Sequence, residues 1–380
     1  MKYKILVFSW NTQSTPLYDS TNNMNSLSNL LGLNSSNLLG FTTKNYYPDF
    51  FENLKEKIED QSPDVVVIGF QEDRQPGSYF HSHYLINEMP RIGYTLLKRT
   101  KMLGVGKTTY DNLFKADIMR RGIRVSVYCK TELHDKIVKA ETELRAAYDN
   151  EGQDEYICSS SLTRSKGATV SYMCLPGVGR FAFVCAHLRF TSSNLVDQKL
   201  YGNEMLRQTE LNFCNAELNQ ILESFVYNRP QVPCYVILFG DLNYRVSADI
   251  DVEKYCELLN EKENLLPLYL KYDELREQMQ RKNIYHFNEG INNSGPNFLP
   301  TYKLDNNRKW KTGKYGQRYP SWCDRILYTK IQEDGNELVC RSYDRFDCGL
   351  AMAQSDHAGV ISVFEVRNKQ TKEKPQKKQI

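Results

Sequence analysis

A chain of 380 residues with 41% hydrophobic and 25% charged residues is long enough for one large domain or two modest ones, and buries a core without disulfide or metal staples. Its formal net charge of +3 argues against a dedicated nucleic-acid binder, whose basic excess is normally strong, yet leaves room for a local basic pocket. The ten cysteines show no C-x-x-C spacing and several sit inside apolar runs, as Cys185 does, so they read as small core residues of a reducing compartment.

The first apolar run, residues 5–10, is only a strand long and no small-residue cleavage site follows it, so it reads as a buried strand and not as a signal peptide. No run approaches the ~18 apolar residues of a membrane span, and the cytosol is the expected compartment. Residues 20–45, rich in Asn, Ser and Thr, read as a surface insertion. Phe51, Leu54 and Ile58 recur at helical spacing before Pro63, and residues 65–70 and 123–129 read as the next strands. The polar stretch 147–165, with Asp149, Glu151, Asp154 and Glu155, reads as a second insertion. Strands at 181–188 and 235–239 flank a long helical stripe of Leu211, Cys214, Leu218, Ile221, Leu222 and Phe225. Leu268, Tyr272, Leu275 and Met279 make a further stripe, and strands at 325–328 and 360–366 complete the series. β-Branched and aromatic residues dominate the strands, which suits covered, pleated surfaces, and strands alternating with helices predict an α/β domain. The segment from Arg367 to Ile380 has six basic residues against the single acidic Glu373. It reads as a solvated tail; attraction to an anionic membrane is the sharper alternative.

Polar groups gather where these strands end. Asn11 follows the first strand, Gln71-Glu72 the second, His187 lies near the end of the 181–188 run, Asp241 and Asn243 follow 235–239, and Asp356-His357 precede the last strand. Sites in α/β sheets form where strand ends converge. A hard cation wants oxygen ligands, which Glu72 and Asn11 supply, and Asp241 suits the role of base for a water. Asn243 points the same way as Asp241 if strand geometry persists, and His187 and His357 suit hydrogen bonding to phosphate. Taken singly, each residue has an equally good structural explanation: a turn cap for Asn11, a surface carboxylate for Glu72, a core histidine for His187, a plain turn for residues 240–245.

In their order, several strings resemble the inositol polyphosphate 5-phosphatase family of the endonuclease/exonuclease/phosphatase superfamily. They are Trp10-Asn11, Gln71-Glu72, Ser165-Lys166-Gly167, His187-Leu188, Gly240-Asp241-Leu242-Asn243-Tyr244-Arg245, Pro300-Thr301-Tyr302-Lys303, Pro320-Ser321-Trp322-Cys323-Asp324-Arg325-Ile326-Leu327 and Ser355-Asp356-His357. The resemblance implies a DNase I-like, four-layer α/β sandwich: two packed mixed β-sheets flanked by helices, with residues 1–366 as the catalytic domain and 367–380 as the tail. It implies Mg²⁺-dependent removal of the 5-phosphate from inositol polyphosphates or phosphoinositides, with no nucleic-acid partner and with peripheral membrane contact as an open alternative. Asn11 and Glu72 would bind Mg²⁺ with Asp356 close by, Asp241 would activate the attacking water and Asn243 position it. His187 and His357 would contact the phosphate, and Asp324 would orient His357. Tyr302, Lys303 and Arg318 would grip a neighbouring phosphate, and Lys166 would sit on a loop flanking the substrate.

The sequence departs from the family pattern in three places. Ala168 stands where a second glycine is usual, which would stiffen or shift the Lys166 loop. Gly316 stands where a lysine is common, with Lys314 as a substitute, and Arg189-Phe190-Thr191 replace small residues and a histidine. Two other readings stay open: a superfamily phosphodiesterase such as a nuclease or sphingomyelinase, and a catalytically dead phosphoinositide-binding module.

Overall fold

A computed structural model describes residues 2–13, 47–74, 81–103, 121–147, 155–158, 166–189, 204–312, 318–332, 335–349 and 352–368. Both faces of the first strand are covered. In β1 (Lys2–Asn11), Ile5 and Val7 join one hydrophobic cluster and Leu6, Phe8 and Trp10 another, the period-2 alternation of a strand sandwiched between two layers. β2 (Val65–Arg74) lies parallel to β1, and β3 (Tyr94–Leu103) and β4 (Arg121–Lys130) extend the sheet on that side. β11 (Asn336–Phe346) and β12 (Gly359–Asn368) complete it on the other, in the order β11-β12-β1-β2-β4-β3.

The second sheet has the order β5-β6-β7-β8-β10-β9. Its strands are β5 (Glu155–Cys158), β6 (Gly167–Leu175), β7 (Gly179–His187), β8 (Tyr235–Asp241), β9 (Asn288–Glu289) and β10 (Asp324–Lys330). β7 and β8 run parallel while their neighbours are antiparallel, so each sheet is mixed with a parallel pair at its centre. Inner faces meet in one core of Ile5, Val7, Val67, Val125, Phe181, Phe183, Ile237, Phe239 and Phe364.

Helices cover the outer faces. α1 (Tyr47–Gln61) lays Phe50, Phe51, Leu54 and Ile58 on the first sheet, and Leu85 of α2 (His81–Glu88) joins them. α3 (His134–Ala147) sends Ile137 into the central core. On the second sheet, α4 (Glu204–Leu222) packs Leu211, Cys214, Leu218, Ile221 and Leu222, and a π-turn at Glu223–Tyr227 adds Phe225. α5 (Val252–Leu258), α6 (Lys262–Tyr272) and α7 (Glu274–Gln280) follow, with Tyr255, Leu265 and Tyr269 packed near Trp322. The two mixed sheets flanked by helices are the architecture that the resemblance implies.

The stripe from Leu268 to Met279 is two helices. Asp273 stops α6 with an extended backbone and caps α7, its carboxylate accepting from Arg276 N, while its main chain bridges Val246. Part of the stretch expected to be an insertion, 147–165, forms the edge strand β5. Ala168 lies inside β6, opposite Ala186 and buried in the outer core of the second sheet, so its methyl is packing and not a loop stiffener. β12 continues through Arg367 and Asn368, two residues past the expected domain limit. Insertion 20–45, Lys314, Gly316 and Phe190-Thr191 lie outside the described residues.

Candidate active site

The two central parallel pairs deliver their C-terminal ends to one place. Asn11 ends β1 beside Gln71 of β2, and His187 ends β7 beside Asp241, the last residue of β8. Gly240 makes the close approach possible: its φ is +132°, and a Cβ there would lie 1.9 Å from Ala186 O. Asp324 opens β10 directly across from Asp241. His357 lies two residues before β12 and bridges to Tyr302.

Asp241 is the hub. Its Oδ2 accepts from Asn11 Nδ2 at 2.8 Å, across the seam between the sheets, and lies 3.2 Å from His187 Nε2 and 3.9 Å from His357 Nε2. Oδ1 accepts from Asn243 N at 3.1 Å. Burial opposes its charge, but His357, His187 and Lys166 outweigh that and hold Asp241 far below the usual carboxylate range. Glu72 Oε1 lies 3.8 Å from the same His187 Nε2, so Glu72 and Asp241 face one point from different sheets. Lys166 Nζ also touches His187 Nε2, among the anions Asp241 and Glu72, and burial pulls its pKa down. Nε2 cannot accept from Lys166 and donate to Asp241 at once, so the tautomer of His187 decides which contact holds.

His357 sits between carboxylates. Nδ1 lies 2.8 Å from Asp324 Oδ2, while Nε2 faces Asp241 and is 3.7 Å from Asp356 Oδ1. Burial favours the neutral ring, but Asp324 and Asp241 prevail and push its pKa up to about 9. Its backbone is tied down as well. His357 N donates to Ser355 Oγ at 3.1 Å, Ser355 Oγ donates to Asn11 O at 2.7 Å, and Trp10 Nε1 donates to His357 O at 3.3 Å.

A basic flank adjoins this centre. Lys303 Nζ lies 3.3 Å from Asp356 Oδ2. Burial lowers the pKa of Arg318, and Asp356 is the leading charge that opposes the shift. The Tyr302 ring packs between the Arg245 guanidinium, 4.3 Å from its centroid, and the His357 ring at 4.5 Å. Asp356, expected close to a metal with Asn11 and Glu72, therefore faces Lys303 and His357 through its side chain.

Asn243 does not continue the strand. Its φ is +58°, its Nδ2 donates to Leu188 O at 2.9 Å, and its Oδ1 accepts from Arg245 Nη2 at 2.8 Å. A turn, and not the alternation of β8, brings it beside Asp241. Asn11 combines both readings of the sequence: Oδ1 accepts from Gln13 N at 2.9 Å as a turn cap, while Nδ2 holds Asp241. Arg245 closes the 240–245 string, yet its stacking on Tyr302 and its hold on Asn243 had no signal in the sequence beyond membership of that string. Ser355 likewise had only its place in the 355–357 string, and Thr12 was unmarked.

The donor chemistry fits a hard cation. Glu72, Asp241 and the Asn11 amide offer oxygen, the ligand type that Mg²⁺ and Ca²⁺ prefer. One ligand atom each from Asp241, Asp324 and His357 lie within 4.8 Å of one another, a set able to hold a metal ion and different from the trio expected from sequence.

A family model, Endonuclease/Exonuclease/phosphatase family 2, matches residues 8–363. The chain is 30% identical over 238 residues to a zebrafish (Danio rerio) protein named phosphatidylinositol 3,4,5-trisphosphate 5-phosphatase 2A, covering 60% of this chain and 17% of that one. Among solved structures, the inositol polyphosphate 5-phosphatase domain of SPsynaptojanin, in complex with inositol (1,4)-bisphosphate and calcium, superposes with a TM-score of 0.59 at 19% identity, over 97% of this chain and 87% of that one. A Cimex nitrophorin, solved as a ferrous NO complex, has the same fold, with a TM-score of 0.56 at 20% identity, over 96% of this chain and 98% of that one. The fold thus accommodates unrelated chemistry, and function must be argued from the polar centre.

Proposed function

The chain belongs to the endonuclease/exonuclease/phosphatase family 2, and from that premise we propose that it hydrolyses the 5-phosphate of inositol polyphosphates or phosphoinositides such as phosphatidylinositol 4,5-bisphosphate and 3,4,5-trisphosphate. The reading rests on one observation above the others: Asn11 and Asp241, 230 residues apart and from different sheets, are joined at 2.8 Å beside Glu72 and His187. The printed names of the zebrafish relative and the SPsynaptojanin domain support the substrate class.

Asn11 and Glu72 would hold Mg²⁺ with Asp356 nearby, and the ion would neutralise charge on the substrate phosphate. Asp241, ionised throughout the working range, accepts a hydrogen bond from the attacking water and takes its proton as the new P–O bond forms. Asn243 supports that water through the N–H it does not spend on Leu188. His357, held as imidazolium by Asp324, donates from Nε2 to a phosphoryl oxygen, and His187 donates from the other side. The bond to the ring oxygen breaks with its electron pair left on that oxygen, which takes a proton from solvent to become a ring hydroxyl, while Asp241 gives up the proton it took and inorganic phosphate leaves. Tyr302, Lys303 and Arg318 form the grip for an adjacent phosphate, with Lys166 flanking the substrate. Residues 1–366 form the catalytic domain in this reading, and the cytosol, with peripheral membrane contact, is its place of action.

Phosphate release from inositol 1,4,5-trisphosphate and from vesicles containing phosphatidylinositol 4,5-bisphosphate, with Mg²⁺ and with chelator, is the direct test. Release is expected only with the ion, and Asp241→Asn should lower kcat by about 10³-fold or more while substrate still binds. No release from any inositol substrate, or nicking of plasmid DNA in its place, would sink the reading.

A further inference from the structure

Glu72 stands in a β-bulge. Phe70 of β2 pairs with Arg124 of β4 and Asp73 pairs with Gly122, so Gln71 and Glu72 on one strand oppose Ile123 alone on the other. The three β2 residues there go three ways. Gln71 turns inward, with Nε2 3.1 Å from both Ser9 Oγ and Cys185 Sγ. Glu72, at φ +51°, turns to the active site. Asp73 turns to Arg124, Oδ2 to Nε 2.8 Å, with side-chain exposures of 0% and 1%.

That ion pair ties together the two residues that bound the bulge, Arg124 in the last ladder pair before it and Asp73 in the first after it. From the β1 side, Thr12 N and Oγ1 donate to Gln71 O at 3.0 and 3.2 Å, and Oγ1 also reaches Glu72 O at 3.1 Å. A buried pair of charges is a poor source of stability, since an apolar pair of equal volume does as well without the desolvation cost. What it supplies is proximity: with both side chains out of water and 2.8 Å apart, neither charge can leave the other, and residues 73 and 124 stay together. We propose that the Asp73–Arg124 pair is a positioning device: it locks the bulge that aims the Glu72 carboxylate and so sets the affinity of the site for a divalent cation. The proposal rests on the reading of Glu72 as a cation ligand.

The test is calorimetric titration of the full chain with Mg²⁺ and Mn²⁺ in the absence of substrate. Asp73→Asn and Arg124→Met should each weaken ion binding about 10-fold or more, as loss of a ligand's supporting partner does elsewhere. The two variants change the local charge in opposite senses. Simple electrostatics would make Asp73→Asn weaken binding and Arg124→Met strengthen it, and that pattern overturns the proposal. Binding within twofold of wild type in folded Asp73→Asn, which keeps the side chain's volume, overturns it too. Ile58→Val, a buried loss in the α1 layer, should lower stability without moving ion affinity; an equal loss of affinity there would reduce the effect to general loosening and end the proposal. Glu72→Gln separates the two levels. If it leaves ion binding intact, the reading of Glu72 itself has failed; if it abolishes binding while the Asp73 and Arg124 variants do not, only the positioning role has failed.

Discussion

His357 shows how a single side chain takes its chemistry from its neighbours. Asp324 and Asp241 raise its pKa from 6.5 to about 9 against the pull of burial. A folded-state value above the unfolded one means the contribution to stability is complete below about pH 6.5 and is lost as pH rises through about 9. For a buried cluster, that is on the order of 3 kcal/mol. In chelator, the urea midpoint should fall between pH 6 and pH 10, and Asp324→Asn should flatten the fall; a midpoint independent of pH in the wild type would contradict the charge state assigned to His357. The same variant should move the alkaline limb of kcat/KM to lower pH. The hub residues were legible in the sequence because they stand at strand ends in a known order. The roles of Arg245 and Asp73 were not, because a charged residue at the end of a motif or just past it reads as solvated surface until the structure shows it buried on Tyr302 or on Arg124.

At the scale of elements, Arg325 explains why the string 320–327 carries a charge that the active site does not use. Asp324 faces His357, while Arg325 is fully buried with its Nη1 on both Glu289 oxygens at 2.9 and 2.7 Å and its Nη2 on Asp273. Tyr269 and Tyr343 donate to the same Glu289 at 2.8 and 2.9 Å. One guanidinium thus ties β10 to β9, β11 and the junction of α6 and α7. Arg325→Met strands two buried carboxylates and should cost about 3–5 kcal/mol, measurable as a drop in Tm, with a further drop when the buffer moves from pH 5 to pH 8. The direction follows from Asp273, whose pKa burial already pushes up to about 7 in spite of Arg325. The same junction defeats the helical stripe, since Asp273 offers its carboxylate to the backbone as well and ends α6 there. Strands β1, β2, β4, β7, β8, β10 and β12 were visible as apolar runs. β3 and β11 were not: these edge strands carry charged residues within their length, Lys98, Arg99 and Lys101 in one and Arg341 and Arg345 in the other, and a search for continuous apolarity passes over them.

For the molecule as a whole, the working centre lies on the seam between two sheets and depends on how closely they pack. Gly69 of β2 marks the contact: a Cβ there would lie 2.3 Å from Phe239 Cε2 and 3.0 Å from Cys185 Sγ. Gly69→Ala should therefore cost about 1–3 kcal/mol by overpacking. It should also cut kcat by more than any loss of folded protein explains, because Asn11 and Asp241 ride on the two sheets it pries apart. Activity and circular dichroism followed together across a urea series would check this, with activity expected to fail first. The chain starts the first sheet, builds the second, and returns to finish the first, so Ile5 pairs with Phe364, 359 positions later (364 − 5). At about 5–20 residues per second of synthesis, β1 waits roughly 20–70 s on the ribosome with one hydrogen-bonding edge unclaimed. The nascent protein is then an open template for a neighbouring chain, so slowing translation of the last third of the message without a chaperone should convert soluble product into aggregate.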